Sequence, residues 1–350
     1  MKFKALNIDG LVAKYPIVQG GMGIGISLSN LAGHVALAGG VGVISTAQIG
    51  FKEEGFEEKP YETNLATIKK YIDKAREIAK GGVIGVNIMV ATKHYEEYVK
   101  AAVKAGVDLI ISGAGLPTNL PEFVKNTKTK IAPIVSSVKS AKVICKLWDR
   151  RYGKSPDMVV IEGPKAGGHL GFSKEDVENI TDKEYEKEIV AIKEVVDEYS
   201  KKYDKHIPVV FGGGVYDKAD MEHYMGLGID GVQMGTRFVV AKESIVHENY
   251  KKKVLAAKDI DSEVTGMTHG HPVRQIRNNM TREYLKLEKA GAPFEELEHL
   301  TLGALRKAVV EGDVINGTLM AGQIAGLVKQ EQTCAEMIQE IMEQAEKLLK

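Results

Sequence analysis

Eight short runs rich in valine and isoleucine recur along the chain, each with Gly, Ser or Asn at or near its end. They are "PIVQGG" from Pro16, "GVGVIST" from Gly40, "VIGVNIMV" from Val83, "LIISGAG" from Leu109, "KIAPIVSS" from Lys130, "MVVIEG" from Met158, "VVFGGG" from Val209 and "GVQMGTRF" from Gly231. A run that is apolar on both faces suits a parallel strand covered by helices. The intervening segments have helical periodicity: between 184 and 203, Ile189, Ile192, Val196 and Tyr199 fall on one stripe among Glu and Lys. Strand and helix alternate eight times, which points to an α/β fold, a (β/α)8 TIM barrel, with its active site at the carboxyl ends of the strands. A doubly wound sheet is the structural alternative.

The alternation stops after the eighth run. Residues 243–316 read as helices joined by loops, a helical cap inserted after the eighth strand. "GTLMAGQIAGLV", Gly317 to Val328, is expected to return to the barrel as its last helix, followed by an amphipathic terminal helix. The expected domains are therefore a barrel of 1–242 and 317–350 and a cap of 243–316.

Lys+Arg and Asp+Glu both number 47, so no basic footprint points to nucleic acid. Two cysteines, Cys145 and Cys334, are too few for a disulfide framework and lack zinc-site spacing. The N-terminal stretch has no secretory apolar core, and no window approaches a membrane span, so no membrane is expected and a cytoplasmic location is.

Glycine clusters recur at the ends of the runs: "QGGMGIG", "SGAG", "GPKAGGHLG", "FGGG" and "MGTRF". Glycine weakens the interior of an element, so clusters on one rim suggest a backbone that must approach a ligand closely, although tight turns would need them too. "FGGG" at 211–214 and "MGTR" at 234–237 follow the seventh and eighth strands, where barrels hold phosphate on backbone N–H groups. Thr236 adds a hydroxyl. Two other phosphate motifs fail: "YGKS" at 152–155 has Trp148 where a P-loop needs its first glycine, and "GGMGIG" misses the G-x-G-x-x-G register.

Asn87 and Gln19 place amides in apolar strands, and Glu162 does the same with a carboxyl. Each either braces a neighbouring strand or faces a ligand. His169 lies between Gly168 and Leu170 beyond the sixth strand, where an imidazole exchanges protons near neutral pH. His269 and His271 form an H-x-H with no evident third ligand, and no metal is assigned.

"PIVQGGMG", "GVNIM", "AGGHLG", "GGG", "VQMGTRFVVAKES" and "MAGQIAGLV" together resemble the FMN-containing barrels of the nitronate monooxygenase and enoyl-acyl-carrier-protein reductase II family, over nearly the whole chain. The resemblance implies an FMN whose phosphate lies at Gly213, Gly214, Gly235 and Thr236. Its ring would lie near Gly21, Met22, Asn87, Gly167 and Gly168, with Gln19, Glu162 and Gln323 in its surroundings and His169 as the catalytic histidine. Gly167 and Gly168 would let the loop backbone pass close to the flavin. The partner implied is a small molecule: an alkyl nitronate or nitroalkane oxidised with O2, or, in the alternative, an enoyl thioester, quinone or flavin reduced with NADH or NADPH. "GTRFVVAKES" onward and "HPVR" look like the reductases, whereas the long charged segment after the histidine loop departs from them. Assembly as a homodimer is compatible with either. A cysteine-dependent dehydrogenase barrel of the inosine-monophosphate type and a phosphate sensor without chemistry are the remaining alternatives.

Overall fold

Strands buried on both faces need partners on both edges, and a set of eight satisfies this by closing on itself. The computed structural model describes residues 3–347. An antiparallel hairpin, β1 (Leu6–Ile8) and β2 (Leu11–Ala13), comes first. Each of the eight runs then forms a strand: β3 (Ile17–Gln19), β4 (Val41–Ser45), β5 (Val83–Met89), β6 (Leu109–Gly113), β7 (Lys130–Val135), β8 (Val159–Glu162), β10 (Val209–Gly212) and β11 (Gly231–Met234). All pair in parallel, and Met234 of β11 pairs with Gln19 of β3 to close the barrel. A two-residue strand, β9 (Gly168–His169), lies outside this ring.

Alternate side chains sort into two layers. Val18, Val43, Ile111, Val160 and Val210 fill the interior together with Leu6, Ile8 and Ala13 of the hairpin. Val41, Val83 and Leu109, at the amino ends of their strands, belong to the same cluster, so the hairpin plugs that end. The other layer packs Ile44, Val86, Ile110 and Ile161 against helix residues including Ile72, Val99, Ile144, Ile189 and Ile192. Each such side chain contributes about 1.5–3 kcal/mol on burial, against roughly 0–1 kcal/mol for an exposed ion pair, so this layer sets how the helices seat.

The βα turns use local caps. Ser137 with Ser140, Thr181 with Glu184 and Asp217 with Asp220 form capping boxes at the starts of the helices Val138–Tyr152, Asp182–Lys202 and Lys218–Gly226. Of the expected stripe, Ile189, Ile192 and Val196 are buried, and Tyr199 is half-buried.

Two expectations about the last third are corrected. The 243–316 segment holds the helices Glu248–Leu255, Asn279–Lys289 and Phe294–Thr301, but also β12 (Ser262–Thr265) and β13 (Val273–Ile276). These strands form a three-stranded antiparallel sheet with β9, in which Val273 pairs with His169 and Arg274 with Gly168. The pairing partner is remote in sequence, so local periodicity did not reveal it. The segment 317–328 is not an α-helix. It runs extended past Met320, which bridges to Gln275, and forms only a 3-10 turn at Gln323–Leu327. Its glycines serve close backbone contact instead: a Cβ on Gly322 would lie 3.0 Å from Lys165 O, and one on Gly326 2.7 Å from Asp259 N.

Candidate active site

The glycine clusters end β3, β6, β8, β10 and β11, on the rim opposite the hairpin. Gln19 is fully buried and its amide is committed to structure: Nε2 donates to Ser27 Oγ at 2.8 Å and to Val43 O at 3.0 Å. Ser27 Oγ in turn accepts from Met22 N–H at 3.0 Å and donates to Gly20 O at 3.1 Å, which folds the 20–27 loop over the strand end. Gln19 thus shapes the loop from below. Gly21 is required there because a Cβ would lie 2.2 Å from Asn87 Cβ. Asn87 makes a long contact, 3.4 Å, from Nδ2 to Ile111 O, and its Oδ1 has no partner among the described residues. Met22 comes from the same loop to Gly235, whose added Cβ would lie 3.4 Å from Met22 Sδ.

Gly213 and Gly214 have φ of +119° and +99°, conformations that L side chains avoid. Among the described residues, the backbone N–H groups of Gly213, Gly214, Gly235 and Thr236 have no hydrogen-bond partner. Four unpartnered donors thus lie at the ends of two neighbouring strands, groups of the kind an anion would satisfy. Thr236 Oγ1 accepts the Gly322 N–H at 2.8 Å, which leaves its O–H proton to donate elsewhere.

Gly167 and Gly168 have a use that the sequence alone does not show. A Cβ on Gly167 would lie 2.5 Å from both Ala321 C and Gly322 N, and one on Gly168 would lie 3.3 Å from Met320 Sδ. The close approach that Gly167 permits is to the chain's own 321–322 backbone, whereas Gly168, at φ +78°, lies against the Met320 side chain. Gln323 belongs to the same crossing. Its Oε1 accepts from Arg274 at 2.7 Å, its Nε2 donates to Asp259 at 2.9 Å, and its N–H donates to Lys165 O at 3.0 Å. Arg274 is buried, donates also to Ser262 Oγ and Pro164 O, and leaves its Nε unpartnered. Gln323 and Arg274 therefore latch the cap to the 164–165 loop.

His169 is carried on β9, and the ladder is extended by Leu170 N–H donating to Pro272 O at 2.9 Å. Its ring keeps a solvent-facing side. Burial by surrounding protein, then the charge on His271, holds the imidazole below its ordinary 6.5. It is neutral at pH 7 and able to accept a proton. Glu162 ends β8, and its Oε1 accepts the Gly171 N–H at 2.8 Å. Burial pushes this carboxyl up to about 7, against the pull of the Gly171 bond.

The histidine pair at 269 and 271 sits on the β12–β13 turn, both rings against Phe294 at 5.8 and 5.4 Å. Buried Glu288 anchors that turn by accepting from Thr268 N–H and Oγ1 at 2.9 and 2.8 Å. Sequence reasoning missed Glu288, Arg274 and Ser27. Only Arg274 had a signal in the sequence, as part of the "HPVR" that resembles the reductases.

Both cysteines are buried, and desolvation pushes the Cys145 thiol up to about 12 and the Cys334 thiol higher still. Neither serves as a nucleophile, which removes the cysteine-dependent dehydrogenase alternative.

The family model for nitronate monooxygenase matches residues 4–344. The chain belongs to the nitronate monooxygenase family. It is accordingly an oxidoreductase. A probable nitronate monooxygenase of Staphylococcus saprophyticus is 27% identical over 98% of each chain, and one of Bacillus subtilis is 25% identical over 88% of this chain and 89% of its own. Among solved structures, FabK from Thermotoga maritima is similar at TM-score 0.77 and 30% identity, with 96% of each chain covered. Nitroalkane oxidase from Streptomyces ansochromogenes shares the fold, with TM-score 0.75 at 20% identity over 97% of this chain and 98% of its own. No helix among the described residues of this family member is long and apolar enough to cross a membrane.

Proposed function

We propose that this enzyme oxidises alkyl nitronates, or the nitroalkanes they come from, with O2 and FMN. The observation that carries the reading is His169: a neutral imidazole, fixed by strand pairing, on the rim that also holds four unpartnered backbone donors. The residues fit FMN. Gly213, Gly214, Gly235 and Thr236 would hold its phosphate, and Gly21, Met22 and the free Oδ1 of Asn87 would border its ring. When bound, FMN supplies the capacity to accept electrons and pass them to oxygen.

This chain's own residues do the rest. His169 accepts the Cα proton of a nitroalkane, or orients an already ionised nitronate through its N–H. Gln19 and Ser27 hold the 20–27 loop, Gly167 admits the 320–322 crossing, and the Arg274–Gln323 latch keeps the cap strand against β9. In this reading the FMN-binding barrel is 1–242 with 317–350, and the 243–316 cap supplies the strand that positions His169.

A second reading is reduction of an enoyl thioester or quinone by NADH or NADPH, and one relative shares with it the thioester class of substrate. A relative from Rhodococcus jostii, 23% identical over 95% of this chain and 93% of its own, is named as a carboxyl-CoA dehydrogenase. An anaerobic absorbance titration separates the two. Bleaching of the flavin band by an alkyl nitronate, with resistance to both nicotinamides, is the expected result; rapid bleaching by a nicotinamide would replace the first reading with the second.

Gly213→Ala tests the cofactor placement by itself. The alanine would sit at φ +119° with its Cβ 2.8 Å from Gly163 O, tilting the unpartnered N–H groups out of line. The purified variant should have lost most of its FMN by the ratio of flavin to protein absorbance. A full complement of FMN would sink the phosphate assignment.

A further inference from the structure

The histidine loop is gripped at one residue from two sides. Gly171, two positions past His169, donates its N–H to Glu162 Oε1 and accepts from Ser136 Oγ at its carbonyl, both at 2.8 Å. A Cβ on Gly171 would lie 3.3 Å from Ser136 Oγ and 3.7 Å from Glu162 Oε1, so both side chains close on the backbone itself. The two gripping residues are tied to each other as well, because the Tyr185 hydroxyl, from the helix Asp182–Lys202, bonds to the carbonyls of both Ser136 and Glu162. The far side of His169 is fixed by β13, but β9 has only two residues, too few to define a loop position without a second anchor.

We propose that Glu162 is a positioning residue that, when ionised, draws Gly171 into place and so sets where His169 meets the substrate. A carboxylate accepts an N–H more strongly than a carboxylic acid does, by a factor of about two. Reciprocity requires that a bond strengthened by ionisation lower the proton affinity of the carboxyl, and the Gly171 N–H does act in that direction. The groups facing Glu162 are the Gly171 N–H from the loop and Tyr185 from the helix. Tyr185 is held protonated by burial first and the nearby Glu162 and Glu188 charges after it. No cation faces the carboxyl among the causes that shift it, so its ionisation stays open near neutrality.

The consequence is an assignment of the acid limb of the pH profile. His169 lies below 6.5 and Glu162 at about 7, so on lowering the pH the carboxyl is the first of the two to take up a proton. Activity should fall through Glu162, while the imidazole is still neutral. This inference deepens the nitronate reading and uses it for one of its two readouts.

The experiment compares wild type, Glu162→Gln and Ser136→Ala, each as FMN-loaded full-length protein. kcat and kcat/KM for a neutral nitroalkane, whose Cα proton His169 takes, are measured from pH 5 to 9, and amide exchange of the 166–172 segment is corrected for its intrinsic pH dependence. Wild type should show an acid limb near 7 with loop protection falling along it. Glu162→Gln should lower kcat by about 10- to 100-fold, move the acid limb down to that of His169, and remove the pH dependence of loop protection. Ser136→Ala should lower kcat but keep the limb near 7. A Glu162→Gln enzyme that keeps the wild-type limb and exchange overturns the proposal. If wild type turns over no nitroalkane, that arm of the function reading fails, and the exchange comparison still decides the clamp.

Discussion

Replacing His169 by alanine is expected to lower kcat/KM for a neutral nitroalkane by about 10²–10⁴-fold while FMN stays bound. The residue sits on a two-residue strand whose backbone bonds, Val273 pairing and Leu170 N–H to Pro272 O, do not involve the side chain. Truncation should therefore remove chemistry without moving the loop. A nitronate that is ionised before it is added needs no base, so its loss should be distinctly smaller than that of the parent nitroalkane. Equal losses on the two substrates would reduce His169 to an orienting group, and no loss on either would remove it from the mechanism. Retained flavin absorbance in the variant is the control that separates this outcome from a collapsed site.

Gly167→Ala is expected to cost about 1–3 kcal/mol of stability, read as a lowered urea midpoint at unchanged slope. The new methyl would meet Ala321 C and Gly322 N at 2.5 Å. Both are backbone atoms, which cannot swing aside as a flexible side chain would, so the 320–322 crossing must shift. Its dependents shift with it: the Gly322 N–H bond to Thr236 and the Gln323 N–H bond to Lys165 O. Flavin affinity should weaken in the same variant because Thr236 loses its brace. Gly226→Ala is the matched control, since a Cβ there meets nothing within 4 Å, and it should change stability far less. An unshifted midpoint for Gly167→Ala would mean that the crossing is soft and does not brace the phosphate loop.

The barrel was legible because the same pattern repeats: a short apolar run, a Gly, Ser or Asn at or near its end, then a helical stripe. All eight runs lie where periodicity placed them. The site was legible as a set of positions but less so in its wiring. Glycines mark a close approach without saying what approaches, and at Gly167 it is the chain's own backbone. Gln19 left open whether it braces a strand or faces a ligand, and Gln323 stood only on the resemblance; both amides hydrogen-bond within the chain, to Val43, Ser27, Arg274 and Asp259. The cap sheet escaped notice because four-residue strands such as Ser262–Thr265 carry too little pattern, and because β9 lies far from its partner in sequence. Glu288 carries no signal in the sequence, since burial of a carboxylate is set by what packs over it.

The hairpin wedged into the amino end of the barrel closes that end over a packed interior. In the proposed reaction, whatever gives up electrons and whatever receives them would therefore reach the glycine rim from the opposite side. The plug at the far end sets the direction from which both reactants arrive.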